Sequence, residues 1–278
     1  MTARARGGRR ALPLPAVGLA AVAVAFFALP FAGLLWRAPW SRVWSVLTSA
    51  DLATPLRLSV TSSVAAAALS LAFGVPLAWL LGKVDFPGRV VVRALCTLSM
   101  VLPPVIGGTA LFFALGRRGV LGQYLDRWFG VTIPFTFWAV VIAQTFAAMP
   151  FLVLTVESAL RQLDPRYDDA ARTLGASRWY AFRRVTLPAI APALVAGTVL
   201  AWARALGEFG ATITFAGNNP RTTQTMPIAI YLARETDPAA AIVLSLVLIA
   251  ISFVVLVALR GRWLGDAPRR ERAPAAPA

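Results

Sequence analysis

Long apolar runs separated by short polar segments set the pattern of this chain. Six runs stand out: Leu12–Trp36, Leu56–Leu81, Val90–Leu115, Ile133–Val156, Ile190–Ala216 and Ala239–Leu259. A helix needs about 20 predominantly apolar residues to cross the hydrocarbon core of a bilayer. The runs lack the alternation of barrel strands, which leaves helices as the spanning form. The pattern predicts an all-α integral membrane protein with six transmembrane helices.

The first run has a second reading. Arg4, Arg6, Arg9 and Arg10 precede it, as basic residues precede the apolar core of a secretory signal. The run is long for a signal, however, and Pro30 sits among large residues that make a poor cleavage context. The expectation is a basic N-terminus over 1–11 and a retained span over 12–36. The tail over 261–278, rich in Pro, Ala and Arg, is expected to be disordered.

An even number of spans puts both termini on one side, and the distribution of Lys and Arg decides which. With the termini inside, the inner segments hold 18 Lys or Arg and the outer loops 8. Cytoplasmic loops carry the excess of positive charge. Both termini are therefore expected in the cytoplasm.

The longest inner segment, about 158–188, lies between the fourth and fifth runs. Asp164 followed by Pro165 has the form of a helix N-cap with proline at the first helical position. A helix over Arg166–Leu174 is expected to stop at Gly175, a residue suited to a left-handed C-terminal position. Ser177 is placed to cap a second short helix, Arg178–Thr186, ending before Pro188. Tyr167, Ala170, Ala171 and Leu174 form one apolar stripe, and Trp179, Phe182 and Val185 another. Helices this short are marginal alone in water. Their stripes must pack on each other, on the bilayer surface or on a partner protein.

Composition narrows the chemistry. Of 278 residues, 58% are hydrophobic and 14% charged. Soluble domains carry roughly 25% charged residues, so one membrane domain is favoured over a soluble pair. The net charge of +15 falls mainly in the inner loops and reads as lipid-facing rather than nucleic-acid-binding. With one cysteine and no histidine, an intramolecular disulfide, a cysteine or zinc metal site and histidine-based catalysis are all excluded. No catalytic residue and no metal ligand is expected.

The segment Asp169-Ala170-Ala171, three residues, Gly175, nine residues, Val185-Thr186-Leu187-Pro188 resembles the EAA loop of bacterial ABC importer permeases, with Asp169 where Glu is usual. The resemblance implies a coupling helix that docks on a separate ATPase subunit through Asp169, Ala170, Ala171, Gly175, Val185, Leu187 and Pro188. ATP and magnesium would be held by that subunit, and no cofactor by this chain. The only lysine, Lys83, is followed by Val84 and lacks a P-loop context.

Downstream, Ala205-Leu206-Gly207-Glu208-Phe209-Gly210-Ala211 with Thr212-Ile213-Thr214-Phe215, and Thr223-Gln224-Thr225-Met226-Pro227, are similar to molybdate permeases. Leu102-Pro103-Pro104-Val105 and Gly119-Val120-Leu121-Gly122 fit the same pattern. This likeness spans a permease core over about 55–260, and sulfate permeases share the Gly-Glu-Phe-Gly element. It implies an oxyanion importer of the bacterial cytoplasmic membrane, with molybdate favoured over sulfate, thiosulfate or tungstate. The expected partners are a second copy of the chain, ATP-binding cassette subunits, an extracytoplasmic oxyanion-binding protein and the lipid bilayer, with no nucleic acid.

Candidate pore or gate residues are Pro103, Pro104, Arg204, Glu208, Phe209 and Gly210. The two prolines interrupt helical bonding and would supply a packing kink or a hinge. Arg204 and Glu208 stand at i and i+4 of the fifth run, so they either pair with each other or line the path. Gly210 would ease close helix contact. A gradient-driven transporter would more often show repeated halves and midplane acids, and a membrane enzyme a catalytic constellation. Neither is evident.

Overall fold

The computed structural model describes residues 14–164 and 166–263. The N-terminal 1–11 segment and most of the 261–278 tail lie outside the described residues. All regular structure among the described residues is helical.

The chain begins with α1 (Leu14–Trp36), apolar on every face and with none of its span buried against the rest of the protein. A 3-10 turn and α2 (Val43–Leu47) lead into α3 (Ala50–Lys83). Then come α4 (Arg89–Val101), α5 (Pro104–Leu115), the short amphipathic α6 (Gly122–Phe129) and α7 (Phe137–Gln162). The loop helices α8 (Arg166–Thr173) and α9 (Arg178–Ala181) precede α10 (Leu187–Leu206) and α11 (Gly210–Ala216). Two further helices, α12 (Met226–Thr236) and α13 (Pro238–Trp263), complete the described chain.

Among the described residues, five helices are long and apolar enough to span by length and composition, so the six expected runs do not map onto six single long helices. The third run is two helices. Leu102 and Pro103 are both extended, with ψ of 135° and 131°. A proline forces its predecessor out of the helical region and removes a donor, so two in succession break the rod and start a new one. At 12 and 13 residues, the pieces are each about 18–20 Å long, short of a hydrocarbon core of about 30 Å.

The fifth run differs at both ends. Its helix begins earlier, as a continuous apolar stretch Trp179–Leu206, and it stops at Leu206 rather than Ala216. The second short loop helix therefore does not end before Pro188. Phe182–Thr186 widens into a π-helical turn, and the Leu187 N–H donates to the Phe182 carbonyl. This wider turn carries the helix on into α10, with Pro188 as its second residue.

α7 is the hub. It packs on α3 and α10 along most of its length, and on α4, α5 and α11 at its sides. Leu152 of α7 is clasped between two glycines. A Cβ on Gly74 of α3 would lie 3.0 Å from its side chain, and one on Gly197 of α10 would lie 3.2 Å from its Cα. Small residues let helix backbones approach closely where van der Waals packing drives association. Ala66 and Ala78 of α3, Ala148 of α7 and Ala201 and Ala205 of α10 extend this contact.

The start of α3, α12 and the segment after α1 are tied by polar contacts. Ser59 of α3 accepts from the Met226 N–H at 2.7 Å, satisfying a free donor at the start of α12. Arg42 donates to both carboxylate oxygens of Asp237, at 3.2 and 2.7 Å, joining the segment after α1 to the start of α13. The hydrogen bond from Arg42 holds the Asp237 carboxyl below the usual carboxylate range.

A depressed carboxylate contributes stability above its unfolded pKa of about 4 and loses it as pH falls through the folded value. Asp237→Asn is expected to lower the melting midpoint of the detergent-solubilised protein at pH 7. The gap from wild type should narrow steadily below about pH 4. A gap independent of pH would assign the effect to something other than this charge.

Candidate functional site

Two helix breaks meet beside α7. α5 starts after the Leu102–Pro103 break and α11 after the Gly207–Phe209 break, and the two short helices pack on each other. Their contact has no room for side chains. A Cβ on Gly210 would lie 2.7 Å from the Pro104 Cβ, and one on Gly108 would lie 2.6 Å from the Ala211 carbonyl and would overlap the Thr214 hydroxyl. Of the residues expected at a pore or gate, Pro104 and Gly210 thus touch, and Pro103 forms the bend before them.

Arg204 and Glu208 form an ion pair, but on different terms from two residues of one helix. Arg204 lies in the last turn of α10, while Glu208 lies in the break beyond it. One carboxylate oxygen of Glu208 accepts from the Ala211 N–H at 2.9 Å, at the start of α11. The other meets the Arg204 guanidinium. Glu208 is 1% exposed, whereas the Arg204 side chain keeps 31% of its surface open. The carboxylate thus satisfies a backbone donor that the break sets free, and it neutralises a charge that would be costly alone. Phe209 packs its ring on Tyr231 of α12 at 5.1 Å between centroids.

The far end of α11 is closed by a second tight fit. Gly217 takes φ 73°, and a Cβ there would lie 2.9 Å from the ring of Phe135. Phe135 itself takes φ 63°, rare for a bulky residue.

The loop between α7 and α10 is built as two short helices at a sharp turn. Asp164 accepts from the Arg166 N–H at 2.9 Å to start α8, and the Ser177 hydroxyl accepts from the Tyr180 N–H at 3.2 Å to start α9. Between them Gly175 takes φ 82°, a conformation that glycine adopts without strain. The backbone of Asp169 and Ala170 lies in α8, while their side chains fall outside what the structure describes. Ala171, Leu174, Gly175 and Val185 line a groove of about 850 Å³ with Tyr167 and Tyr180. Leu174 is 88% exposed, and Trp179 is exposed and stacked on Phe182. Leu187 is half-buried and Pro188 exposed at the start of α10.

Residues 74–266 match the family described as binding-protein-dependent transport system inner membrane component. The chain belongs to this family.

The permease is 44% identical over 251 residues to the molybdenum transport system permease protein ModB of Mycobacterium bovis, covering 90% of this chain and 92% of that protein. It is 35% identical over 235 residues to the sulfate transport system permease protein CysT of Escherichia coli, covering 83% and 84%. Among solved structures, a bacterial ABC transporter involved in the import of the acidic polysaccharide alginate superposes with a TM-score of 0.69. That likeness covers 91% of this chain and 96% of the other at 19% identity. It shows a shared fold.

One charged residue of the permease escapes a reading by runs. Glu157 lies one position beyond the fourth predicted span, yet α7 continues past it and buries it. Its signal was an acid at the edge of an apolar run with Arg161 four residues on.

The α5–α11 contact supplies a direct test. Gly108→Ala must push backbone from backbone, and overpacking of this kind costs about 1–3 kcal/mol. Gly33→Ala on α1 meets nothing within 4 Å and is expected within about 0.5 kcal/mol of wild type. Equal melting midpoints for the two variants would refute the close α5–α11 packing.

Proposed function

We propose that this permease carries molybdate inward as part of an ATP-driven importer. The observation that carries the substrate is the 44% identity, over nearly the full length of both chains, to a permease named for molybdenum transport. Likeness to a sulfate permease at 35% keeps sulfate as the second reading. Two copies of the chain would enclose the path, with ATPase subunits on the cytoplasmic side and an oxyanion-binding protein outside. The charge distribution, 18 basic residues on one side against 8 on the other, supports cytoplasmic termini.

The two-helix loop is the proposed ATPase contact. Its apolar groove and exposed aromatic residues at the loop are what a partner would cover. Asp169 would add a charge-assisted contact, with Ala170 and Ala171 allowing close approach. Beside the second break, Arg204 would offer an attractive charge to a passing dianion. Pairing with Glu208 leaves that charge partly spent, which fits passage rather than tight binding.

ATP-dependent uptake of molybdate is expected in vesicles containing the chain, its ATPase and its binding protein, and it should persist against excess sulfate. Uptake abolished by sulfate would move the assignment to the sulfate class.

Gly175→Asp is expected to insert normally, because Asp tolerates the left-handed region at a cost of about 1–2 kcal/mol. It places a charge on the docking face, so uptake should fall while the amount of protein in the membrane stays unchanged. Normal uptake would remove this turn from the ATPase contact.

A further inference from the structure

α4 is weakly held. None of its residues is buried, and Val90, Val91 and Leu95 are exposed. Its helical packing is chiefly on α7, with Val92 and Cys96 laid against the core. Yet its far end is the break from which α5 starts, so the direction of α4 sets where α5 begins.

Polar contacts supply what packing lacks. Glu157 of α7 is 4% exposed and pairs with Arg93 of α4, and with Arg161 of α7 at 2.9 Å. The Leu81 carbonyl in the last turn of α3 accepts from Arg89 Nε at 2.9 Å, and from Arg93 and Arg161 at 3.4 Å each. Three arginines therefore fan over one helix C-terminus and one buried carboxylate, where the dipole and the charge both favour them. Arg89 is also paired with Asp85 in the turn before α4. α7 ends at Gln162, one residue after Arg161, and the two-helix loop follows at once.

We propose that the Arg93–Glu157–Arg161 node is the joint that carries motion of the two-helix loop into α4, and through it to the α5–α11 contact. The proposal rests on the reading of that loop as the ATPase contact. Glu157 and Arg161 sit on the helix that the loop would pull, and Arg93 sits on the lever. Arg93 and Glu157 are positioning residues: neither needs to touch the transported anion. Because Arg161 still neutralises Glu157 when Arg93 is replaced, removing Arg93 leaves no bare buried charge and the bundle stays folded.

The single cysteine gives a reporter without further engineering. Cys96 lies one turn beyond Arg93, half-buried against the core. In the purified chain, Arg93→Met is expected to raise the rate of Cys96 labelling by N-ethylmaleimide several-fold, with Arg93→Lys in between. In the assembled complex with its ATPase, ATP with vanadate is expected to shift the wild-type labelling rate. Arg93→Met should shrink that nucleotide-dependent shift by about tenfold, within the usual span of coupling free energies. Equal rates in the purified chains would overturn the anchor, and an undiminished nucleotide response in Arg93→Met would overturn the transmission. A chain that assembles with no ATPase would instead refute the reading of the loop and the transmission with it. The labelling rate of the lone chain would still decide the anchor.

Discussion

A helix in a bilayer gains little by exchanging lipid tails for other apolar side chains, so the bundle must hold by shape. Everything here depends on how closely α7 is approached. Gly74 and Gly197 admit Leu152 from opposite sides, and alanines continue the seam above and below. The long helices α3 and α10 pack on α7 and on each other as one block. Against that block the short helices α4, α5 and α11 are placed, and the two-helix loop is suspended from its end.

Broken helices inside a membrane raise a second demand, because backbone donors freed at a break have no water to bond. Each break meets it differently. At the first, Pro104 opens α5 and has no N–H to satisfy. At the second, Glu208 turns inward and accepts from the Ala211 N–H. Arg204 then becomes the counter-charge that lets a carboxylate stay buried. A pair that looks like an intrahelical salt bridge in the sequence is thus a cap and its neutralising partner.

Where packing is thin, charge takes over. α4 presents bare apolar residues to its surroundings and is fixed to its neighbours by arginines that converge on Glu157 and the Leu81 carbonyl. Arg42 and Asp237 make a comparable tie between the segment after α1 and the start of α13, but on an exposed surface. The Arg93–Glu157–Arg161 node differs in that its carboxylate is buried, so the pairing resists screening by salt.

Much of this was legible in the chain itself. Apolar length declared a helical membrane protein, since a bilayer admits few other forms. Asp164, Gly175 and Ser177 announced the loop helices because caps and turns are local events. What only the tertiary structure decided was non-local. Hydropathy cannot distinguish one long helix from two short ones: Pro103 and Pro104 marked a kink or hinge without marking two separate helices, and the break at Gly207 vanished inside its apolar run. Pro188 reads as a stop, yet a widened turn leads the helix on into α10. Glu157 stood outside its predicted span because burial of a carboxylate depends on Arg93, 64 residues away. Spacing along the chain determines elements; which charges meet is determined by how closely glycines and alanines let those elements come together.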